Sequence, residues 1–376
     1  MEAKSNAVPF LNFKAQYQPI RNEIQKAVLD VLDSQLFILG PAVEAFEKAC
    51  AAHCGAKYAV GVSSGTDALL MALMAIDLKP GDEVVTTAYS FFATASTIHR
   101  LGGKPVFVDI DPDTYNIKIE DLEKAITKKT RAILPVHLYG QCADMDPIIA
   151  IARKHKLVVI EDAAQSFGAI YKGKMACSMG DFSCVSFYPT KNLGGIGEGG
   201  MVLVNDQDRY EKLLNLRNHG NAQAGPYQIV GGNFRLDAIQ AAALNVKLPY
   251  LKAWNEARAK NAQDYAKLFQ DAGLVGKIKL PVVAPGCVHI YHQYVIDAPD
   301  RDQLQPFLKT KGVGTGIYYL IPMPYQPCFA YLGYAANAFP NSNHMAKNGL
   351  ALPIYPELTM EHKTCVVASI REFYKL

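Results

Sequence analysis

The sequence predicts an α/β fold: a mainly parallel sheet flanked by helices, followed by a smaller mixed α/β domain at the carboxyl end. Strand-like apolar segments alternate with helix-like segments between residues 57 and 204, which is typical of a parallel sheet with helices on both faces. The chain has 376 residues, 50% of them apolar, and one hydrophobic core rarely serves so long a chain. We therefore expect a large domain at residues 1–250 and a small domain at residues 251–376.

The elements of the large domain follow one another as strand, then helix. The predicted strands are residues 58–62, 83–86, 105–109, 131–135 and 157–160, a segment ending at Ser186, and residues 201–204. The predicted helices are residues 67–76, 93–101, 120–126 and 147–155. Ligands of such sheets bind at the carboxyl ends of the strands, so functional residues are expected in the loops that follow them.

The remaining elements are a helical connection and the small domain. Residues 236–270 have a helical pattern, but Pro249 lacks an amide hydrogen and predicts two helices or a bend there. The predictions beyond residue 273 are a strand at residues 289–296, a helix at 301–311, an aromatic and proline-rich stretch at 318–334, and a terminal helix from Met360. We interpret this part as a small mixed domain that covers the site.

Composition excludes several classes of partner. The net charge is +3 and no basic block stands out, so a nucleic-acid partner is not expected. The amino-terminal residues lack the apolar segment of a secretory signal, and no apolar run approaches membrane-spanning length. The eight cysteines are scattered, which indicates reduced thiols. These features predict a cytoplasmic protein with no membrane partner.

One cysteine cluster, formed by Cys50, His53 and Cys54, raises the question of a metal site. It lies at the end of a predicted helix that begins at Pro41 and closes at Gly55. No second pair of ligands stands at a zinc-like spacing. Packing and helix capping are therefore favoured over metal binding, and no metal is expected.

The most informative segment is residues 157–200. An apolar strand runs into Asp162, and the next strand ends at Ser186, five residues before Lys191. An acid at the carboxyl end of a buried strand stays ionised only beside a cation, such as a pyridinium nitrogen. A lysine flanked by small residues can form a Schiff base with an aldehyde. Together the two residues predict an enzyme that uses pyridoxal 5'-phosphate (PLP).

The turn at residues 62–69 is the predicted phosphate site. It joins a strand to a helix through small residues, Gly65 and Thr66 among them, and leaves N–H groups at the positive helix end. The alternative is an ordinary N-cap by Ser64 or Thr66, worth roughly 1 kcal/mol. Beside the predicted acid and lysine, phosphate binding is favoured. Ser186 can reach the same phosphate, or it can be a buried serine bonded to backbone.

Two further side chains are predicted at the cofactor. Gln165 lies three residues beyond Asp162, where it can hydrogen-bond the phenolic oxygen of PLP or pack beside its ring; a plain polar turn residue is the alternative. Among the aromatic residues at 89–92, Phe91 is favoured to stack on the pyridine ring. Core packing is the default for the others.

With these motifs the chain resembles the DegT/StrS family of PLP-dependent nucleotide-sugar aminotransferases, which have fold type I, the aspartate aminotransferase-like fold. Six motifs match in order, at residues 64–69, 105–109, 135–141, 161–165, 186–194 and 232–237. The resemblance implies Lys191 as the Schiff-base lysine and Asp162 as the partner of the pyridinium, both catalytic. The further cofactor contacts that it implies are Gly65, Thr66, Ser186 and Gln165.

The resemblance also implies a homodimer whose active site is shared across the interface. In the family, a loop like residues 231–235 reaches the neighbouring subunit. Asn233 is thus implied to contact the cofactor phosphate of that subunit. The sequence alone indicates only a turn asparagine there.

Lys191 stands where one branch of the family, which dehydrates sugars, carries a histidine, so the resemblance supports transamination. It suggests glutamate as the amino donor. In this reaction the lysine moves protons between the donor carbon and the aldehyde carbon of the cofactor. Burial beside a cation would lower its pKa from the ordinary value of about 10.4 toward neutrality, which suits a proton carrier.

The substrate is predicted to be a nucleotide-linked keto sugar. Residues 63–67 and 140–146 resemble the branch of the family that acts on UDP-linked 3-keto hexuluronic acids more than the branch that makes dTDP-3-amino sugars. Tyr318, in contrast, stands where many relatives carry a histidine. The alternatives are a dTDP- or GDP-linked 3- or 4-keto-deoxysugar, a PLP-dependent dehydration, and a non-catalytic regulatory protein. The predicted sugar contacts, each with a structural role as the alternative, are Arg235, Tyr318 and Tyr319.

Overall fold

The computed structural model describes residues 7–221 and 225–376, so the first six residues of the predicted large domain lie outside the described part. The strands are β1 (Tyr58–Val62), β2 (Glu83–Thr87), β3 (Lys104–Val108), β4 (Thr130–Leu134), β5 (Val158–Asp162), β6 (Ile170–Tyr171), β7 (Lys174–Met175), β8 (Phe182–Ser186), β9 (Gly200–Val204), β10 (Cys287–Val288), β11 (Tyr294–Asp297) and β12 (Gly349–Leu352). The α-helices are α1 (Phe13–Tyr17), α2 (Arg21–Ser34), α3 (Pro41–Cys54), α4 (Gly65–Ala75), α5 (Ala93–Arg100), α6 (Ile119–Leu122), α7 (Met145–His155), α8 (Gln207–Arg217), α9 (Ala238–Lys247), α10 (Leu251–Asp271), α11 (Arg301–Thr310), α12 (Pro340–Asn348) and α13 (Met360–Tyr374).

A seven-stranded sheet in the order β1-β9-β8-β5-β4-β2-β3 forms the centre of the fold. Strands β8, β5, β4, β2 and β3 pair in parallel. Strand β9 runs antiparallel to both of its neighbours, β8 and β1, so β1 points the same way as the parallel strands. The predicted mainly parallel sheet is confirmed, and its strand ends converge on one edge.

Helices cover both faces of this sheet because its strands are apolar on both sides. Val84 and Val85 are both fully buried, but they belong to different apolar clusters. Val84 shares a cluster with residues of α4 and α5, and Val85 shares one with residues of α3 and α7. Successive side chains of a strand point to opposite faces, so these two clusters are the two sides of the sheet.

The predicted break at Pro249 is confirmed. Helix α9 ends at Lys247, a short 3-10 turn covers Leu248–Tyr250, and α10 begins at Leu251. The proline cannot donate the amide hydrogen that a continuous helix would need at this position.

The predicted strand at residues 289–296 is correct only for residues 294–296. Strand β10 ends at Val288 and β11 begins only at Tyr294. Between them Tyr291 has a φ of 47°, which lies outside the extended region that a strand requires. The chain turns here, and this turn brings the two residues that follow it to the cavity described below.

The carboxyl-terminal part has an apolar cluster of its own. It is formed by residues of α10, β11, α11, β12 and α13, together with Val8. This cluster supports a small domain after residue 250, although that boundary stays a prediction. None of the described helices combines the length and the apolar composition that crossing a bilayer would need.

The cysteine cluster packs in the interior of the fold. Helix α3 ends at Cys54, next to Gly55, and the side chains of Cys50 and Cys54 are buried. The ring of His53 lies 5.2 Å from that of Phe167. Within the described ranges, no group of three or more histidine, cysteine, aspartate or glutamate side chains is arranged to hold a metal ion.

Candidate active site

A cavity of about 670 Å³ lies at the carboxyl ends of the parallel strands. It is lined by the loops after β1, β2, β4, β5 and β8. Ligands of such sheets bind in these loops. The predicted site residues that line it are Gly65, Thr66, Phe91, Asp162, Gln165, Ser186, Lys191, Tyr318 and Tyr319. The structure thus gathers residues from segments more than 200 positions apart in one place.

Asp162, the last residue of β5, presents a buried carboxylate to this cavity. The Thr94 hydroxyl donates to its Oδ2 at 2.8 Å, and the backbone N–H of Ala164 donates to its Oδ1 at 3.2 Å. Burial raises the pKa of Asp162 above its usual range, although these hydrogen bonds and the charge of Lys191 oppose the rise. A raised pKa means that the hydrogen bonds and nearby charges do not fully replace the hydration that the ionised carboxylate loses on burial. A cationic group in the cavity would therefore stabilise the ionised form.

The neighbouring Glu161 has a different role. It is fully buried, and its carboxylate accepts hydrogen bonds from five donors: His137 Nε2 at 2.9 Å, Ser183 Oγ at 2.8 Å, and the backbone N–H groups of Cys177, Met179 and Gly180 at 3.2, 2.9 and 2.5 Å. Burial acts to raise its pKa, but these bonds, that of His137 first, hold the pKa below its usual value. Glu161 is therefore a structural carboxylate whose acceptor capacity is used by the protein.

Lys191 lies in a tight loop after β8. Its backbone N–H donates to the Tyr188 carbonyl at 2.8 Å, and a Cβ at position 194 would collide with the backbone of Pro189, so Gly194 permits the turn. Burial lowers the pKa of Lys191 to about 8, against the nearby charge of Asp162, which acts to raise it. A substantial fraction of the side chain is then a free amine near neutral pH, as a nucleophilic lysine requires.

The helix that follows β1 has a capped amino end. Ser64 is the N-cap residue, and the backbone N–H of Asp67 donates to its Oγ at 3.1 Å. The hydroxyls of Ser63 and Ser64 donate in turn to Asp67 Oδ2, at 2.6 and 2.9 Å. Of the two predicted caps, Ser64 rather than Thr66 makes this bond, so the cap residue differs from the predicted phosphate contacts Gly65 and Thr66.

Gly65 and Thr66 form the first turn of α4 at the wall of the cavity. The first N–H groups of a helix have no intrahelical acceptor, and they carry the positive end of its dipole. A Cβ on Gly65 would lie 2.6 Å from the Cβ of Ser186. The absence of a side chain at Gly65 thus lets Ser186 pack directly against this helix end, so N–H and O–H donors lie next to each other at the cavity wall.

Gln165 is fixed by two protein contacts. Its Oε1 accepts the backbone N–H of Tyr139 at 2.7 Å, and its Nε2 donates to the Tyr319 hydroxyl at 2.9 Å. Of the predicted alternatives, this arrangement favours packing beside a ring over hydrogen bonding to a phenolic oxygen.

Aromatic side chains form another wall. Phe91 is 57% exposed, and its ring lies 6.3 Å from that of Tyr319. Tyr89 is fully buried and bonds to the backbone of Tyr319, which fits the predicted core role, whereas Phe92 is 43% exposed and does not. Stacking of Phe91 on a cofactor ring stays a prediction.

Two predicted residues do not line the cavity of their own chain. Arg235 donates from Nη1 to Asn218 Oδ1 at 2.6 Å and pairs through its backbone with Val62. Asn233 is exposed and pairs with Asn218. Neither residue lines this cavity, so a contact with a ligand here would need another subunit or a movement of the chain.

His292 and Gln293 also line the cavity, and the sequence reasoning missed both. Asn192 donates through Nδ2 to Asn255 at 2.7 Å, so its Oδ1 accepts, at 3.1 Å, from His292 Nδ1. Nδ1 therefore carries the hydrogen and Nε2 is unprotonated. Burial, together with the charge of Lys191, lowers the pKa of His292 well below its usual value, so the ring is neutral. These residues were hidden inside the incorrectly predicted strand.

The groups described above fit PLP. The cofactor needs an amine for its aldehyde, an anion for its ring nitrogen and donors for its phosphate. Lys191, Asp162 and the adjacent donors of Gly65, Thr66 and Ser186 line one cavity and can provide these three functions.

The lowered pKa of Lys191 predicts how the apoprotein takes up PLP. Because only the neutral amine attacks an aldehyde, the rate of covalent attachment should rise about tenfold per pH unit below the pKa of about 8 and level off above it. Stopped-flow absorbance after mixing apoprotein with PLP measures this rate. A profile that is still rising at pH 10 would contradict the buried, low-pKa lysine.

The match to known proteins extends over nearly the whole chain. A model of the DegT/DnrJ/EryC1/StrS aminotransferase family matches residues 18–371. The chain is 48% identical to a "pleiotropic regulatory protein" of Geobacillus stearothermophilus, over 98% of this chain and 99% of the relative. It is 42% identical to the UDP-N-acetyl-3-dehydro-alpha-D-glucosamine 3-aminotransferase of Acidithiobacillus ferrooxidans, over 98% of each. It is 40% identical to the UDP-2-acetamido-2-deoxy-3-oxo-D-glucuronate aminotransferase of Pseudomonas aeruginosa, over 93% and 96%.

Solved structures agree with these matches. The structure of DesV from S. venezuelae in complex with a ketimine intermediate superposes with a TM-score of 0.95 at 38% identity, covering 99% of this chain and 100% of that one. The structure of NtdA from Bacillus subtilis with bound cofactor PMP has a TM-score of 0.91 at 32% identity, covering 100% and 87%.

Proposed function

The chain belongs to the DegT/DnrJ/EryC1/StrS aminotransferase family, whose members use PLP, and we propose that it transfers an amino group from glutamate to the keto group of a UDP-linked 3-keto sugar. It is thus a sugar aminotransferase that acts on nucleotide sugars. The roles proposed for Lys191 and Asp162 are based on one observation. Both residues line the same cavity, at the carboxyl ends of adjacent parallel strands.

PLP, when bound, supplies the aldehyde that accepts the amino group and a ring that stabilises negative charge on the reacting carbon. The Asp162 carboxylate would hold a proton on the ring nitrogen, and the Thr94 hydroxyl, which donates to Asp162 Oδ2 at 2.8 Å, keeps the carboxylate in place. The Nζ of Lys191, with a pKa of about 8, accepts a proton from the donor carbon and returns it at the aldehyde carbon.

The phosphate group is held by the helix end and the serine. The N–H groups of Gly65 and Thr66 would donate to phosphate oxygens, and the hydroxyl of the adjacent Ser186 would donate to the same group. The Asp67 carboxylate lies near this end, but it accepts hydrogen bonds from two serine hydroxyls and so weakens the positive end less than a free carboxylate would.

For the sugar, the sequence motifs favour a 3-keto hexuluronic acid. One observation favours a neutral 3-keto sugar as the second candidate. Among the described residues that line the cavity, Lys191 and His292 are the only basic side chains, and neither is free to pair with a sugar carboxylate. Lys191 binds the cofactor and His292 is neutral. A hexuluronic acid therefore needs a cation from another subunit.

We also propose a homodimer in the cytoplasm. Apolar side chains are exposed next to the segment that contains Asn233: Leu36 and Ile38 are 54% and 59% exposed, and Ile38 pairs with Asp237. Ile196, which is 47% exposed, donates its N–H to Gln240 beside them. A second copy would cover this surface and place Asn233 near a neighbouring cavity. All eight cysteines are free thiols, as expected in a reducing compartment.

The experiment that tests the proposal is a visible spectrum of the protein loaded with PLP, recorded before and after glutamate is added. The yellow absorption band should give way to the near-ultraviolet band of pyridoxamine phosphate. A UDP-linked 3-keto sugar should then restore the yellow band, and the rates with the uronic acid and the neutral sugar rank the two candidates.

Each negative outcome has a distinct meaning. A yellow band that glutamate leaves unchanged would exclude glutamate as the donor. A band that glutamate converts, but that no keto sugar restores, would overturn the sugar part of the proposal. If no band forms, the assignment of Lys191 and Asp162 is wrong.

A further inference from the structure

The amino-terminal arm, residues 8–11, extends from the carboxyl-terminal part of the fold to the active-site cavity. Val8 is only 1% exposed and packs in the apolar cluster of that part. Its N–H donates to the Gly312 carbonyl, and its carbonyl accepts from the N–H of Gly314, both at 2.9 Å. Two residues beyond Val8, Phe10 lines the cavity. These contacts fix the course of the arm, so Phe10 occupies a defined place at the cavity wall.

Two glycines leave room for Phe10 at this place. A Cβ on Gly314 would lie 2.7 Å from the backbone nitrogen of Phe10, which is closer than a carbon atom can approach. A Cβ on Gly316 would lie 3.2 Å from Phe10 Cζ and 2.7 Å from Cε2 of Tyr318. A side chain at either position would therefore displace Phe10, Tyr318 or both.

The rings of Phe10 and Tyr318 are stacked at the wall of the cavity. Their centroids lie 6.2 Å apart, and the angle between the ring planes is 20°. Both residues line the cavity, and both are only half-buried. A planar or apolar group of a ligand in the cavity would cover more of their surface, which is favourable.

Of the two substrates in the proposed reaction, the nucleotide sugar has the groups that suit these rings. Its base is planar and stacks well on aromatic side chains, and its sugar ring carries C–H groups. Glutamate, in contrast, consists of two carboxylates and an amino group on a short chain. The cofactor ring is also planar, but a contact between Phe10 and the cofactor would affect the reaction with glutamate, which can be measured separately.

We propose that Phe10, which the arm holds against Tyr318, is a binding residue for the nucleotide sugar and contacts its base or its sugar ring. This inference rests on the proposed function. Loss of the Phe10 ring should lower kcat/KM for the keto sugar by about tenfold, the usual effect of removing one aromatic stacking contact. The effect should fall on KM more than on kcat, because the ring takes no part in proton transfer.

The test follows the two half-reactions separately in the PLP-loaded protein by single-turnover absorbance. In Phe10→Ala, glutamate should convert the yellow form at the native rate. Restoration of the yellow band should need a concentration of the UDP-linked 3-keto sugar that is about tenfold higher than for the native protein. Phe10→Tyr keeps the ring and should behave like the native protein.

Two further variants separate the position of the ring from its presence. Gly314→Ala keeps the ring but displaces the arm, so it should show the same loss as Phe10→Ala. Phe13 lies three residues further along the chain, is 50% exposed and does not line the cavity. Phe13→Ala is therefore the matched control and should keep the native values in both half-reactions.

Calorimetric titration with UDP identifies the group that Phe10 contacts. If Phe10→Ala binds UDP about tenfold more weakly than the native protein, the contact is with the base. If UDP binding is unchanged while the reaction still needs more keto sugar, the contact is with the sugar ring.

Three outcomes would overturn the inference: a native dependence on the keto sugar in Phe10→Ala, an equal slowing of its reaction with glutamate, or the same loss in Phe13→Ala. If Phe10→Ala does not fold, Gly314→Ala decides, because its aromatic ring is intact. Failure of the proposed function is seen separately, because the native protein would then not react with glutamate or with any keto sugar.

Discussion

Replacing Lys191 with alanine should abolish amino transfer and leave a folded protein. General acid–base catalysis by a positioned side chain contributes on the order of 10²–10⁴-fold, and this lysine also forms the covalent bond to the cofactor. The neighbouring His292 is a poor substitute because its pKa lies well below the usual value. Burial already disfavours the charge on Lys191, so its removal should cost little stability. Steady-state turnover and thermal unfolding measure the two effects.

Two comparisons make this prediction specific. Lys191→Arg keeps a positive charge but provides no neutral amine, so it should be as inactive as Lys191→Ala. A small primary amine added to Lys191→Ala should restore part of the activity, because it can carry the proton that the side chain no longer carries. An alanine variant with native turnover would show that another group moves the proton.

The sequence predicted the sheet well because a buried parallel strand has a local pattern. Strand β1 has the predicted bounds, residues 58–62, and a single proline without an amide hydrogen was enough to predict the break at residue 249. The prediction of a strand at residues 289–296 missed the turn at residues 289–293, because the pattern of apolar residues carries no information about backbone φ angles. Tyr291 adopts a positive φ that tertiary contacts impose, and the turn carries His292 and Gln293 into the cavity.

The residues that line the candidate site were more predictable than the contacts between them. Asp162, Ser186 and Lys191 follow two consecutive strands of the parallel set, so their convergence follows from the sheet. Thr94 lies 68 positions from Asp162, and Tyr319 lies 154 positions from Gln165. Such contacts depend on how distant loops pack and have no local signature.

Changing Asp162 to asparagine should reduce turnover on the order of 10²–10³-fold, the usual effect of removing one preorganised charge from a reacting centre. The neutral amide cannot hold a proton on the ring nitrogen, so the ring would stabilise less negative charge on the reacting carbon. The folded protein should remain stable, because burial raises the pKa of Asp162 and so already disfavours its ionised form. Single-turnover rates with glutamate and the thermal unfolding midpoint measure the two effects.

Glu161 is the matched control, since it is also a carboxylate and lies beside Asp162 on the same strand. Glu161→Gln replaces an acceptor that serves five donors, so an amide N–H would face hydrogen-bond donors inside the protein and the unfolding midpoint should fall. The folded fraction should still react with glutamate near the native rate, because this carboxylate does not line the cavity. Two neighbouring substitutions should therefore give opposite results, a loss of rate without a loss of stability for Asp162→Asn and the reverse for Glu161→Gln. Asp162 and Glu161 are successive residues of β5, so their side chains point to opposite faces of the sheet. If both variants lost rate to the same extent, the catalytic role assigned to Asp162 would be wrong.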